Sequence, residues 1–160
     1  MRPLAILIGL CSVLAVAAHA KPDQRPFAVI VAGSTVDPTL QRNVVAQIYR
    51  RKLSFWKDGR RIQPANLPAN DPLRRAFSQC VLGQPPDAME DYWREMYFHG
   101  VLPPHVVASE EAMILFVLST PGAIGYVSAC PPDARIAVIM TVGDVPNCPK
   151  RNTICTPLQE

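Results

Sequence analysis

The sequence predicts an α/β domain of three layers, with helices on both faces of one mainly parallel sheet. Two observations carry that expectation. Continuous apolar, β-branched runs at 27–32 (FAVIVA) and 135–142 (RIAVIMTV) read as strands buried on both faces. Between them, segments with helical spacing and capping signals alternate with further short strands, the pattern of helices packed on a sheet.

In chain order, Gly33-Ser34-Thr35 ends the first strand, and Asp37-Pro38 reads as a cap and first-turn proline. Leu40, Val44, Val45 and Ile48 then keep helical spacing to about Arg51, with Arg50, Arg51 and Lys52 expected in a last turn that favours cations. Asp58-Gly59 is a turn signal before a short strand over 61–66. Asp71-Pro72 opens a second helix bearing Leu73, Phe77, Cys80 and Val81 on one side. Gly83 to Pro86 break it, and Asp87 with Glu90 resembles a capping box for a third, amphipathic helix with Met89, Trp93, Met96 and Tyr97. Residues 98–107 read as a loop. Ser109 caps a fourth helix with Glu110 and Glu111 in its first turn, and Ile114, Val117 and Leu118 are expected to face the core. A strand follows at 123–128. The tail from Gly143, rich in Pro, Asn and Cys, is expected to be irregular.

The N-terminus stands apart. Arg2, an apolar run from Leu4 to Ala17 and Ala18-His19-Ala20 read as a signal peptide cleaved after Ala20. The run falls short of the roughly 20 apolar residues of a comfortable membrane span. The expected layout is signal peptide 1–20, lead 21–26, domain 27–142 and tail 143–160, in a periplasmic or secreted protein. A composition 49% hydrophobic and 18% charged is globular, and a net charge of +3 is too small to suggest nucleic acid. Cys80, Cys130, Cys148 and Cys155 remain after cleavage, an even number suited to an oxidising compartment. Cys130, Cys148 and Cys155 are the disulfide candidates, with the pairing open. Cys80, on an apolar helix face, reads as a buried free thiol.

No enzyme constellation is present: no G-x-S-x-G, H-E-x-x-H or phosphate-cradling Walker loop, and no nucleophile–base pair at an informative spacing. No catalytic residue, metal site or cofactor is therefore assigned. His99 and His105 lack ligand-like spacing to the cysteines. Ser34 and Thr35, between a strand and a helix, suit an anion as well as an ordinary turn. The cations from Arg50 to Arg61 suit an acidic partner as well as a solvated face.

Three stretches carry a family resemblance. VAQIYRRKLSFWKDG (45–59) resembles a helix ending in IF-x-G-K followed by W-x-D-G. LRRAFSQCVLG (73–83) resembles the next helix of the same proteins, and STPGAIGYV (119–127) resembles their PGAIGYV. The chain from about Phe27 to Val127 thus resembles one lobe of the phosphate ABC transporter substrate-binding proteins, of the type 2 periplasmic binding-protein superfamily. The resemblance implies a periplasmic-binding-protein-like lobe, a non-enzymatic solute-binding role, a small oxyanion such as phosphate as ligand, and a membrane transporter or sensor component as partner.

Two departures qualify what it implies. The family's receptors close two lobes on the ligand, and this chain has room for one. A pocket normally buries roughly 70–90% of its ligand, so weak binding or a homodimer is expected. The family's Ser-Gly-Thr turn is replaced by NLPANDPL (66–73). Pro68 and Pro72 lack an N–H, and a capping Asp71 would occupy the amides an anion needs. Asn66, Asn70 and Arg74, with Ser34 and Thr35 on the neighbouring turn, are the candidate ligand residues. The alternative reading is a protein–protein interaction or sensory accessory module that has lost ligand binding.

Overall fold

The computed structural model describes residues 25–33 and 40–144, with the backbone of 152–153. β1 (Phe27–Ala32) forms where the apolar run predicts it and is buried along nearly its whole length. It lies inside a sheet of order β3-β2-β4-β1-β5-β6. β2 is Gln63–Asn66, β3 His105–Val106, β4 Ala123–Val127, β5 Ile136–Val142 and β6 Asn152–Thr153.

The sheet is mixed. The pairs β2–β3, β2–β4 and β5–β6 are parallel, but β1 runs antiparallel to both of its neighbours, β4 and β5. The expectation of a mainly parallel sheet holds for the outer pairings and fails at the centre. An apolar strand buried on both faces reads the same in either direction, so its sequence carries no polarity. The tail expected to be irregular also contributes a short strand, β6.

A bulge explains a second departure. Val29 faces Met140 while Ile30 faces Val138, so Ile139 is the extra residue on β5. The Leu40 amide donates to the Ile139 carbonyl at 3.2 Å. Leu40 is thus tied to the sheet, and α1 begins only at Arg42 and runs to Tyr49, with Gln41 as a cap that makes no side-chain bond. The expected start at Asp37-Pro38 lies outside the described residues. Val45, Ala46, Ile48 and Tyr49 bury the inner face of α1.

The cations after α1 are committed to particular acceptors. Arg50 Nη2 donates to the Leu82 carbonyl at 2.8 Å, so its charge serves the end of the second helical segment instead of its own. Arg51 Nη1 donates to the Ile62 carbonyl at 3.4 Å, and Arg60 pairs with Asp58 at 2.7 Å across the Asp58-Gly59 turn.

The second helical segment is continuous over 72–82, α2 (Pro72–Phe77) passing into a π-helical turn (Ser78–Leu82). Phe77 is its deepest side chain. It stacks on Tyr126 with centroids 4.0 Å apart and meets Tyr49 at 4.6 Å and Phe27 at 5.4 Å. α4 (Glu110–Ser119) carries the expected cap, with Ser109 Oγ accepting from the Ala112 amide at 3.2 Å. It packs on β4 through Met113 and Val117. Gly125 permits that approach, because a Cβ there would lie 2.4 Å from Met113 Sδ and 3.1 Å from Val117 Cγ2.

α3 (Glu90–Phe98) departs most from expectation. The capping box does not form, and Asp87 instead pairs with Arg75 at 3.5 Å. No α3 residue is fully buried. Tyr92 and Trp93 rest partly on the core, while Tyr97 and Phe98 are exposed. Within the expected loop 98–107, residues 105–106 form the edge strand β3.

Cys80 is half-buried, and neither Cys80 nor Cys130 is a free thiol, which corrects the reading of Cys80. Cys148, Cys155, the signal peptide and its cleavage site lie outside the described residues. Among the described residues no helix is long and apolar enough to cross a membrane.

Candidate functional site

At the C-terminal end of β2 the chain buries a small polar cluster. Asn66, the last residue of that strand, is buried, as is Arg74 in the first turn of α2. Parallel strands present their C-terminal ends beside helix starts, the place where open α/β sheets hold ligands. The Tyr126 hydroxyl, from β4, sits between these residues. It accepts from the Leu67 amide at 3.1 Å and donates to Asn66 Oδ1 at 3.5 Å, and Arg74 hydrogen-bonds to it. Tyr49 closes the apolar side, its hydroxyl donating to the Ala65 carbonyl at 3.0 Å.

The amides at the start of α2 are already taken. Asp71 Oδ1 accepts from the Leu73 amide at 2.7 Å and the Arg74 amide at 3.1 Å. The Arg75 amide donates to the Asp71 carbonyl, and Pro72 has no N–H. The cap predicted from sequence therefore forms, and it leaves no free amide on Leu73, Arg74 or Arg75.

Arg74 remains incompletely satisfied. It is 7% exposed, and its Nη1 has no hydrogen-bond partner. One helical turn on, Ser78 Oγ is also buried without a partner. No carboxylate forms an ion pair with Arg74 among the described residues. The neighbouring phenols supply no counter-charge. Burial raises the Tyr126 hydroxyl to about 12, against the opposing pull of Arg74, and burial likewise holds Tyr49 well above its ordinary value. A buried guanidinium with an open donor and neutral neighbours is costly unless an anion or a water completes it.

The raised phenols give a pH expectation. A phenol with a folded pKa above its unfolded one stays protonated in the fold while the unfolded chain ionises. Its contribution is complete below about pH 10 and lost as pH rises toward about 12. Urea unfolding midpoints are therefore expected to fall between those pH values, and more gently in Tyr126→Phe. Equal slopes for the two proteins would show that Tyr126 does not contribute.

Of the candidate ligand residues, the structure brings Asn66 and Arg74 together, whereas Asn70 is exposed in the turn before α2. Ser34 and Thr35 lie outside the described residues. Sequence reasoning missed Tyr126 and Ser78. Tyr126 lay inside an apolar strand motif, with no polar neighbour to mark it. Ser78 carried a readable signal, a polar residue four positions after Arg74 on an otherwise apolar helix face.

No protein-family model matches the sequence, and no curated protein matches it. Solved structures do. A Vibrio cholerae ABC-type phosphate transport receptor is 20% identical with a TM-score of 0.54, the match covering 71% of this chain and 45% of that one. A Clostridium perfringens protein solved with bound phosphate, and assigned as a phosphate ABC transporter substrate-binding protein, is 19% identical with a TM-score of 0.57, over 71% and 44%. At these identities the likeness establishes the fold. The chain spans less than half the length of either structure.

Proposed function

We propose that this chain, which has the fold of part of a phosphate-binding receptor, is an exported, non-enzymatic binding module that takes a small oxyanion weakly at Arg74. The carrying observation is the buried Arg74 guanidinium with an open Nη1 and, among the described residues, no ion-pair partner. Asn66 and the Tyr126 hydroxyl border the same position. The neighbours described as phosphate receptors favour phosphate among oxyanions. With the Leu73 and Arg74 amides occupied by Asp71, the dissociation constant is expected in the millimolar range, far from nanomolar.

Titration calorimetry with phosphate, sulfate and acetate tests this. Saturable heat at millimolar anion is expected, and absence of heat with all three, at any protein concentration, would refute it. Export rests on the sequence of residues 1–20. N-terminal sequencing of protein from the producing cell is expected to start at Lys21, and a retained Met1 would contradict it.

A second reading, a module that docks on a transporter or sensor component, has its own support. Tyr97, Phe98, Leu102, Val106 and Leu115 are large apolar side chains left exposed on α3, β3 and α4 and the connection between them. Clusters of this kind mark interaction surfaces when they are contiguous. A transporter or sensor component pulled down from envelope extracts by the native chain but not by a Phe98→Asp variant, with anion heat unchanged, would favour that reading.

A further inference from the structure

Independently of the site at Arg74, we infer that the hairpin over 54–62 is a contact surface for an anionic phospholipid bilayer, with Phe55 entering the headgroup layer and the surrounding cations meeting the phosphates. Charge is concentrated there. Residues 51–61 carry five cations, Arg51, Lys52, Lys57, Arg60 and Arg61, against one carboxylate, Asp58, a local charge of +4 in a chain whose total is +3. Asp58 is engaged by Arg60 at 2.7 Å. Lys52, Lys57 and Arg61 are exposed and form no ion pair among the described residues.

The hairpin brings these groups to one surface. The Ile62 amide donates to the Ser54 carbonyl and the Trp56 amide to the Arg60 carbonyl, both at 2.9 Å. Phe55 therefore lies opposite Arg61, and residues opposite each other in an antiparallel pair share a face. Trp56, the next residue, points the other way. Its indole donates to the Gly122 carbonyl at 3.0 Å, which fixes the hairpin to the domain and leaves Phe55 58% exposed. Arg51 joins the cluster, because its Nη1 donates to the Ile62 carbonyl, next to Arg61. Burial and then the Arg61 charge hold the Arg51 guanidinium below its ordinary value. The Arg51 backbone has φ +59°, a conformation usually left to glycine. The chain thus crowds repelling cations around an exposed ring, an arrangement that an anionic surface relieves. The ring favours a bilayer over an acidic protein: at the headgroup layer it leaves water, while long cationic side chains stay at the phosphates.

Co-sedimentation of the full mature chain with vesicles tests this, using phosphatidylcholine alone and phosphatidylcholine mixed equally with phosphatidylglycerol. Binding is expected on the anionic vesicles only, and it should weaken as salt screens the cations. A cation at such a surface is worth about fivefold in partition, so Lys52→Gln combined with Lys57→Gln should weaken binding at least about tenfold. Phe55→Ser should weaken it about tenfold through lost burial of the ring. Thermal melts establish that both variants fold. Equal binding to the two vesicles, no binding to either at low salt, or unchanged binding by either folded variant overturns the inference. Binding of polyglutamate without binding of anionic vesicles overturns it in favour of an acidic protein partner.

Discussion

Phe77→Ala is expected to lower the free energy of unfolding by ~3–5 kcal/mol. Phe77 is fully buried and is the meeting point of three rings, Tyr126, Tyr49 and Phe27, contributed by β4, α1 and β1. Its removal leaves a cavity that cannot close by local collapse, because the stacked Tyr126 is held by its own hydroxyl bonds to Leu67 and Asn66. A domain typically has about 5–15 kcal/mol in total, so the variant should unfold at far lower urea. Phe77→Leu is expected to keep most of the stability. A Phe77→Ala loss below about 1 kcal/mol would show that the ring cluster does not organise the core. The same substitution should weaken anion binding, since Tyr126 borders Arg74.

Gly122→Ala is expected to cost roughly 2–4 kcal/mol, from two sources that can be separated. The first is conformational: Gly122 has φ +79°, a region side chains rarely adopt. The second is contact: a Cβ would lie 2.2 Å from the Arg61 carbonyl oxygen, which is backbone and cannot swing aside. The Gly122 carbonyl also accepts from the Trp56 indole at 3.0 Å and from the Gln63 amide at 3.0 Å, so the segment has little room to shift. Gly59 is the internal control. It has φ +84° but open space where its Cβ would be, so Gly59→Ala should carry the conformational part alone. Equal losses at the two positions in urea unfolding would contradict the proposed clash.

These glycines bear on how the resemblance is interpreted. The PGAIGYV stretch is where the chain most resembles the phosphate receptors, yet its glycines answer packing needs, Gly122 against Arg61 and Gly125 against Met113. Tyr126 is the residue of that stretch that reaches the polar cluster.

What could be read from sequence divides along local and long-range causes. β1, β4, β5, the α2 start and the α4 cap follow from patterns contained within each segment, and they form close to where those patterns place them. The direction of β1, the late start of α1 at the Ile139 bulge and the outward position of α3 depend on partners distant in the chain. The site divides in the same way. Asn66, Asp71 and Arg74 sit beside a readable helix start, whereas Tyr126 joins them from β4, some 50 residues on. Arg50 shows the same limit. Its charge could be read as serving a helix end, but the helix it serves is the next one.

In the proposed function Arg74 is a buried cation that a bound anion completes. Calorimetric titration of sulfate into the native chain and into Arg74→Met, each shown to be folded, measures it most directly. Saturable heat in the native protein that disappears in the methionine variant is the predicted result. Heat of equal size and midpoint in both would place the anion elsewhere and contradict the claim.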